Sequence, residues 1–96
     1  MQLNPDELGE TLLEVDEINS ISFESQVLLF NDEIHTFEEV INQIIKAINC
    51  SQSKAETLTL QVHNQGKAVV YRGELVESIR ISNVLEEIGL ITRIEC

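Results

Sequence analysis

Apolar residues recur at helical spacing in the stretch that follows Thr36, and this is the strongest periodic pattern in the chain. They lie at i, i+3, i+4, i+7, i+8 and i+11, which places them on one face of a helix. The positions are Phe37, Val40, Ile41, Ile44, Ile45 and Ile48. The preceding Thr36-Phe37-Glu38-Glu39 matches a capping box, so the predicted helix begins there.

Two further helices are predicted from shorter patterns. Ser53-Lys54-Ala55-Glu56 matches a second capping box, and Gly66 is well placed to end the helix that it opens. One face of this helix carries Ala55, Leu58, Thr59 and Val62. A third helix is predicted from about Glu74 to Ile88, with Gly89 as its stop, because Ile81, Val84, Leu85 and Ile88 stand at helical spacing.

Three short segments are predicted to be strands. They are Val27 to Phe30, Ala68 to Tyr71 and Leu90 to Glu95, and Gly73 interrupts the pattern after the second. The predicted order is therefore β-α-α-β-α-β. Strands interrupted by helices predict an α/β (α+β) sandwich, a small three-stranded sheet packed on helices that lie on one side.

The chain of 96 residues suits one small domain. Residues 1–24 differ from the rest, because they are acidic and only weakly periodic, and we expect a flexible N-terminal extension. The remaining residues, 25–96, are expected to form the folded core. The acidic side chains of the extension include Asp6, Glu7, Glu10, Glu14, Asp16 and Glu17.

Net charge excludes several classes of partner. The formal charge is −11 with six Lys and Arg residues, so the basic footprint that nucleic-acid binding needs is missing. An anionic membrane surface would repel the chain as well. Neither a signal peptide nor a membrane-spanning run is visible, and Cys50 and Cys96 are expected to be reduced thiols. These features predict a cytoplasmic protein.

Two short polar clusters stand out from the apolar background. Asn31-Asp32-Glu33 ends the first predicted strand, and His63 falls in the last turn of the second predicted helix. The first cluster could be only a polar turn with Asx-type bonds, and His63 could only interact with the helix dipole. Alternatively, an amide oxygen, a carboxylate and an imidazole suit a small cation stripped of water, such as a free α-amino group.

Catalytic chemistry has little support in the sequence. A metal site built from His35, His63, Asp32 and Cys50 is conceivable, but no ligand spacing supports it. A Cys-His nucleophilic pair is equally weak, and neither a nucleophile elbow nor a phosphate-binding loop is present. We therefore expect a protein that is not an enzyme, with no catalytic residue, metal or cofactor.

Read in order, these segments resemble the ClpS family, the adaptors of the Clp ATPase-proteases. The resemblance runs from about Val27 to Glu95 and looks like the shorter form of the family. It is carried most specifically by the spaced pair Asn31-Asp32-Glu33 and Val62-His63-Asn64-Gln65-Gly66-Lys67. Glu38-Glu39-Val40-Ile41 and the closing Leu90-Ile91-Thr92-Arg93-Ile94-Glu95 add to it.

The resemblance implies an adaptor for N-degrons, the destabilising N-terminal residues of proteolytic substrates. Such a protein would hold a free N-terminus that begins with a bulky hydrophobic residue. It would pass the substrate to the N-terminal domain of a Clp ATPase of the ClpA or ClpC type. Asn31 and His63 would then accept hydrogen bonds from the α-ammonium group, and Asp32 would add negative charge nearby.

The same resemblance implies a hydrophobic pocket for the first side chain of the substrate. Its lining would comprise His35, Phe37, Val40, Thr59, Val62 and Leu90. Phe37 stands at a gate position where many members have Met, His35 where many have Thr, and Thr59 where some have Met. Glu74 fits the usual ATPase-docking helix, but Ile79 falls where a Lys is often found. The alternative is a protein-interaction domain of the same fold that has lost the pocket.

Overall fold

A computed structural model describes residues 24–96, and the predicted acidic extension falls outside these residues except for Glu24. The strands are β1 (Glu24–Phe30), β2 (Lys67–Glu74) and β3 (Ile91–Glu95). The helices are α1 (Phe37–Ile48), α2 (Gln52–Gln65) and α3 (Leu75–Glu86). The predicted order of elements and the predicted fold class are thereby confirmed.

The sheet is antiparallel, and its strand order is β2-β1-β3. The central strand β1 has one face towards the helices, where Ser25, Val27 and Leu29 are buried. The Ser25 hydroxyl shares a buried 2.7 Å hydrogen bond with the Ser78 hydroxyl of α3, which fixes that helix across the sheet. Since β1 is paired on both edges, its carboxyl end is held firmly in place.

Helix α1 begins as the sequence predicts. The Thr36 hydroxyl accepts a hydrogen bond from the Glu39 backbone N–H at 3.1 Å, and the Glu39 carboxylate accepts one from the Thr36 N–H at 2.8 Å. This reciprocal pair satisfies two donors that the first turn would otherwise leave free. The helix packs against α2 and α3 and buries Gln43, Ile44 and Ala47.

The predicted start of α2 at Ser53 is wrong. Ser51 is the N-cap, and its hydroxyl accepts from the Lys54 N–H at 3.0 Å. The predicted box does not form because Ser53 lies inside the helix, where the Glu56 side chain accepts a 3.1 Å hydrogen bond from the Gln52 amide. Gly66 ends the helix as predicted, in the left-handed conformation at φ +86° that favours glycine.

The later elements also differ slightly from the prediction. Gly73 lies inside β2, which continues to Glu74, and α3 ends two residues before the predicted Ile88. Gly89 has φ +89° and lies in the turn beyond the helix. Periodicity locates the middle of an element better than its ends, because strand pairing and helix caps determine where an element begins and ends.

One hydrophobic core joins the sheet to the three helices. Its fully buried members include Leu29 of β1, Ile44 of α1 and Leu85 of α3. The remainder of this buried cluster is Val27, Ala47, Ala55, Leu58, Val62, Ala68, Val70, Ile81 and Leu90. Val62 and Leu90 connect the core to the cavity described below.

Candidate functional site

A cavity of about 150 Å³ opens at the carboxyl end of β1, where the ends of several elements meet. The first turn of α1, the last two turns of α2 and the segment before β3 form its other sides. It is lined by Leu29, Phe30, Asn31, Asp32, Glu33, His35, Phe37, Val40, Thr59, Val62, His63 and Leu90.

A backbone hydrogen bond brings the two predicted polar clusters together. The Asn31 N–H donates to the Gly66 carbonyl at 2.9 Å, which joins the end of β1 to the end of α2. Asn31 and His63 consequently line the same cavity, although 32 positions separate them in sequence (63 − 31). Neither side chain hydrogen-bonds to another residue of the range 24–96, so the Asn31 amide oxygen and a ring nitrogen of His63 can accept from a ligand.

Phe37 packs against His63 across the mouth of the cavity. The two rings meet edge to face, with their centroids 5.0 Å apart and their planes at 69°. Phe37 is 43% exposed, so it borders the opening and lies outside the closed core. Its contact restricts the orientation of the imidazole, because aromatic rings favour this geometry.

The floor of the cavity is apolar. Val62 and Leu90 are buried core residues, and Val40 is half-buried beside them. Thr59 is 3% exposed, and its hydroxyl donates to the Ala55 carbonyl of the same helix at 2.8 Å. Since that bond satisfies the hydroxyl donor, the floor can receive an apolar group without leaving the Thr59 hydroxyl proton unpaired.

Asp32 organises the loop between β1 and α1. Its Oδ1 accepts from the backbone N–H groups of Ile34 and His35, both at 2.9 Å, and its Oδ2 lies 2.7 Å from Nδ1 of His35. Burial alone would raise the pKa of Asp32, but these hydrogen bonds outweigh burial and the pKa lies below its ordinary value. The predicted Asx-type turn is therefore formed by Asp32, which also lines the cavity.

His35 connects this loop to the far side of the cavity. Its Nε2 lies 2.5 Å from the carbonyl oxygen of Ile88, in the turn that leads to Leu90. The hydrogen bond with Asp32, then that with Ile88, and the nearby charges of Asp32 and Glu39 raise the pKa of His35 against the effect of burial.

The structure places all nine predicted site residues around this one cavity. Their roles toward a ligand stay predictions. Sequence reasoning did not include Leu29, Phe30 and Glu33 among the site residues, although they also line the cavity. These three residues flank Asn31 and Asp32 in sequence, and this adjacency could have indicated that they line the site.

The conceivable metal site is not assembled. Cys50 lies on a different groove, between α2 and β2, beside Lys54 and Tyr71. Within residues 24–96, no group of three His, Cys, Asp or Glu side chains is arranged to hold a metal ion. The helices of this same range also include none that is both long and apolar enough to cross a membrane.

Comparisons with known proteins identify the family to which this chain belongs. The sequence model of the family described as ATP-dependent Clp protease adaptor protein ClpS matches residues 13–87. The ATP-dependent Clp protease adapter protein ClpS of Desulfatibacillum aliphaticivorans is 33% identical over 81 residues, covering 79% of this chain and 78% of that protein. The chain belongs to the ClpS family, whose name describes an adaptor of a protease.

Two other relatives extend the comparison. The E3 ubiquitin-protein ligase UBR2 of Mus musculus and that of Homo sapiens are each 43% identical over 47 residues, or 49% of this chain. The matched region is about 3% of the length of those ligases. A structure of Agrobacterium tumefaciens ClpS2 bound to L-phenylalaninamide has the same fold, with a TM-score of 0.64, 22% identity, and coverage of 75% of this chain and 94% of that one.

Proposed function

We propose that this protein binds the free N-terminus of substrates that begin with a bulky hydrophobic residue, and that it delivers them to a Clp ATPase-protease. The observation that carries the proposal is the pairing of two hydrogen-bond acceptors, on Asn31 and His63, with an apolar floor in one cavity. An N-terminal residue has the matching pair of features, because its ammonium group and its side chain branch from one carbon.

The energetics suit a reversible adaptor. A hydrogen bond to a charged group contributes about 1.5–3 kcal/mol. Burial of a Leu or Phe side chain adds roughly 1.5–3 kcal/mol. Two such bonds and one buried side chain contribute about 4.5–9 kcal/mol before the cost of association is subtracted, so binding should be weak enough to reverse.

Asp32 would interact with the ammonium group differently from Asn31 and His63. Because the Asp32 carboxylate is already bonded within its own loop, it acts on the ammonium group mainly through its charge. Direct hydrogen bonds then come from Asn31 and His63. The A. tumefaciens relative supports this class of ligand, since L-phenylalaninamide has a free α-amino group and an aromatic side chain.

The delivery step rests on family membership. Its partner would be the N-terminal domain of a Clp ATPase of the ClpA or ClpC type. The family name, a Clp protease adaptor, supports a protein that transfers a substrate without cleaving it. Mixing the protein with the isolated ATPase domain and measuring complex formation tests this step separately from peptide binding.

Peptide binding is tested with matched peptides that begin with Leu or Phe. N-acetylation removes the cation and should weaken binding by about 2 kcal/mol or more. Asn31→Ala and His63→Ala should each weaken binding while the domain stays folded. Asn83→Ala, an exposed change on α3 away from the cavity, is the control. Equal affinity for the free and the acetylated peptide would instead favour an interaction domain that has lost the pocket.

A further inference from the structure

The ring of His35 lies between two groups that can only accept hydrogen bonds. Nδ1 is 2.7 Å from the Asp32 carboxylate, and Nε2 is 2.5 Å from the Ile88 carbonyl oxygen. A neutral imidazole has one N–H and would leave one of these contacts without a proton. The imidazolium has two N–H groups, and only that form can donate to both acceptors.

We propose that His35 is a positioning residue that acts as an imidazolium bridge, holding the Asp32 loop against the turn at Ile88 and so shaping the cavity for an N-terminal amine. This inference rests on the proposed function and adds a requirement for the protonation state of the site. The bridge consists of His35, the Asp32 carboxylate and the Ile88 carbonyl.

The bridge adds a direct link between two parts of the chain that are also joined by the sheet and by the packing of α1 against α3. On one side, Asp32 follows Asn31, the proposed amine acceptor. On the other side, Ile88 precedes Leu90, which forms part of the cavity floor. The turn also passes close to the ring, since a Cβ built on Gly89 would lie 3.8 Å from Cε1 of His35. Loss of the bridge would free the loop to move relative to the floor.

The charged groups around His35 favour the protonated ring. The negative charges of Asp32 and Glu39 both stabilise the protonated His35 ring. Glu33 and His63 are the other titratable residues that line the same cavity. The pKa of His35 is raised mainly by its hydrogen bond with Asp32 and then by that with Ile88. Such a group contributes stability fully below the ordinary histidine pKa of about 6.5, and the contribution is lost as pH rises through the raised value.

His35 and His63 therefore have opposite requirements. The bridge needs a protonated His35, whereas His63 must be neutral to accept a hydrogen bond from an amine. Peptide binding should therefore weaken on the alkaline side, where the His35 proton is lost.

Ring-nitrogen NMR tests the bridge directly in the unmodified protein. The chain has two histidines, so a His63→Gln spectrum assigns both rings. We expect the His35 ring to carry protons on both nitrogens at pH values above about 6.5, where a free histidine is mostly neutral. A His35 ring that titrates at or below that value would overturn the proposal, and this measurement needs no peptide.

Binding measurements test the consequence for the site. The affinity for a Leu-initiated peptide is compared between wild type and His35→Gln, which removes the second donor and the charge. Wild type should bind about fivefold more tightly near pH 6.5, and the ratio should fall below about twofold near pH 9. The peptide amine titrates near 7.7–8.0, but it affects both proteins equally and cancels in the ratio.

The outcomes separate this inference from the proposed function. The ratio of wild-type to His35→Gln affinity could stay constant with pH while wild type still binds the free peptide more tightly than the acetylated one. That result would reject the bridge but not the proposed function. Failure of both proteins to bind any free peptide would reject the proposed function, while the NMR titration would still decide the bridge. Asp32→Asn is a second variant, and it should lower the His35 pKa because it removes the negative partner.

Discussion

Replacing Phe37 with alanine should separate the contribution of this residue to binding from its contribution to stability. Complete burial of a Phe side chain is worth roughly 1.5–3 kcal/mol. Because Phe37 is 43% exposed, its loss should destabilise the domain by only about 1–1.5 kcal/mol. Binding should suffer more, since the change removes both a wall of the cavity and the ring that orients His63.

The expected loss of affinity follows from these two contributions. An edge-to-face aromatic contact contributes about 0.5–1.5 kcal/mol, and the lost wall adds to it. A total of about 1–2 kcal/mol corresponds to roughly a fivefold to thirtyfold weaker Kd for a peptide that begins with Leu or Phe. Calorimetric titration measures this loss directly, and denaturant unfolding measures the change in stability.

Leu60→Ala is the matched control for Phe37→Ala. Leu60 is 48% exposed on α2 and does not line the cavity, so its removal should cost similar stability without changing Kd. Unchanged peptide affinity in Phe37→Ala would refute its role as a wall. A stability loss above about 3 kcal/mol would show a core residue instead.

Four further predictions concern other parts of the molecule. Thr36→Ala should lower the free energy of unfolding by about 1 kcal/mol in denaturant titrations, because it removes the N-cap of α1. In calorimetric titrations, Phe37→Met with Thr59→Met should bind better than the sum of the single changes predicts, by about 0.5 kcal/mol or more, because both side chains line the cavity; strict additivity would show that Thr59 does not contact the bound side chain together with Phe37. Deleting residues 1–23 should leave peptide Kd unchanged but slow degradation by the Clp machine, and a weakened Kd would contradict this. Affinity for a Phe-initiated peptide should fall in acid, because a protonated His63 ring has no acceptor nitrogen, whereas an affinity that does not change with pH would exclude it as a direct acceptor.

Local patterns predicted most of the fold and the two polar clusters of the site, whereas the lining of the hydrophobic pocket was predicted from the resemblance to the ClpS family. The helix from Phe37 to Ile48 was predicted with its correct start, because its capping box and its apolar face are both recognisable within one short stretch of sequence. The start of α2 was missed because two serines were available, and it is the Ser51 hydroxyl that accepts the capping hydrogen bond from the Lys54 N–H. Such a choice depends on side-chain geometry that composition does not contain.

The role of His35 shows the limit of sequence reasoning more clearly. Its spacing of three from Asp32 is visible in the sequence, and the local contact with Asp32 could have been expected. Its second partner is the backbone carbonyl of Ile88, 53 positions away. A carbonyl is present at every residue, so no side-chain pattern marks which one will be used. Only the fold specifies this contact.

The direction of β1 also determines where residues 1–23 join the domain. Glu24 begins the strand and Phe30 ends it beside the cavity, and seven residues in a strand span about 20 Å. Residues 1–23 therefore join the domain at the end of the sheet that is remote from the cavity. The length of β1 thus separates the cavity from the point where residues 1–23 join the domain, and a peptide bound as proposed would lie at the opposite end of the strand from that point.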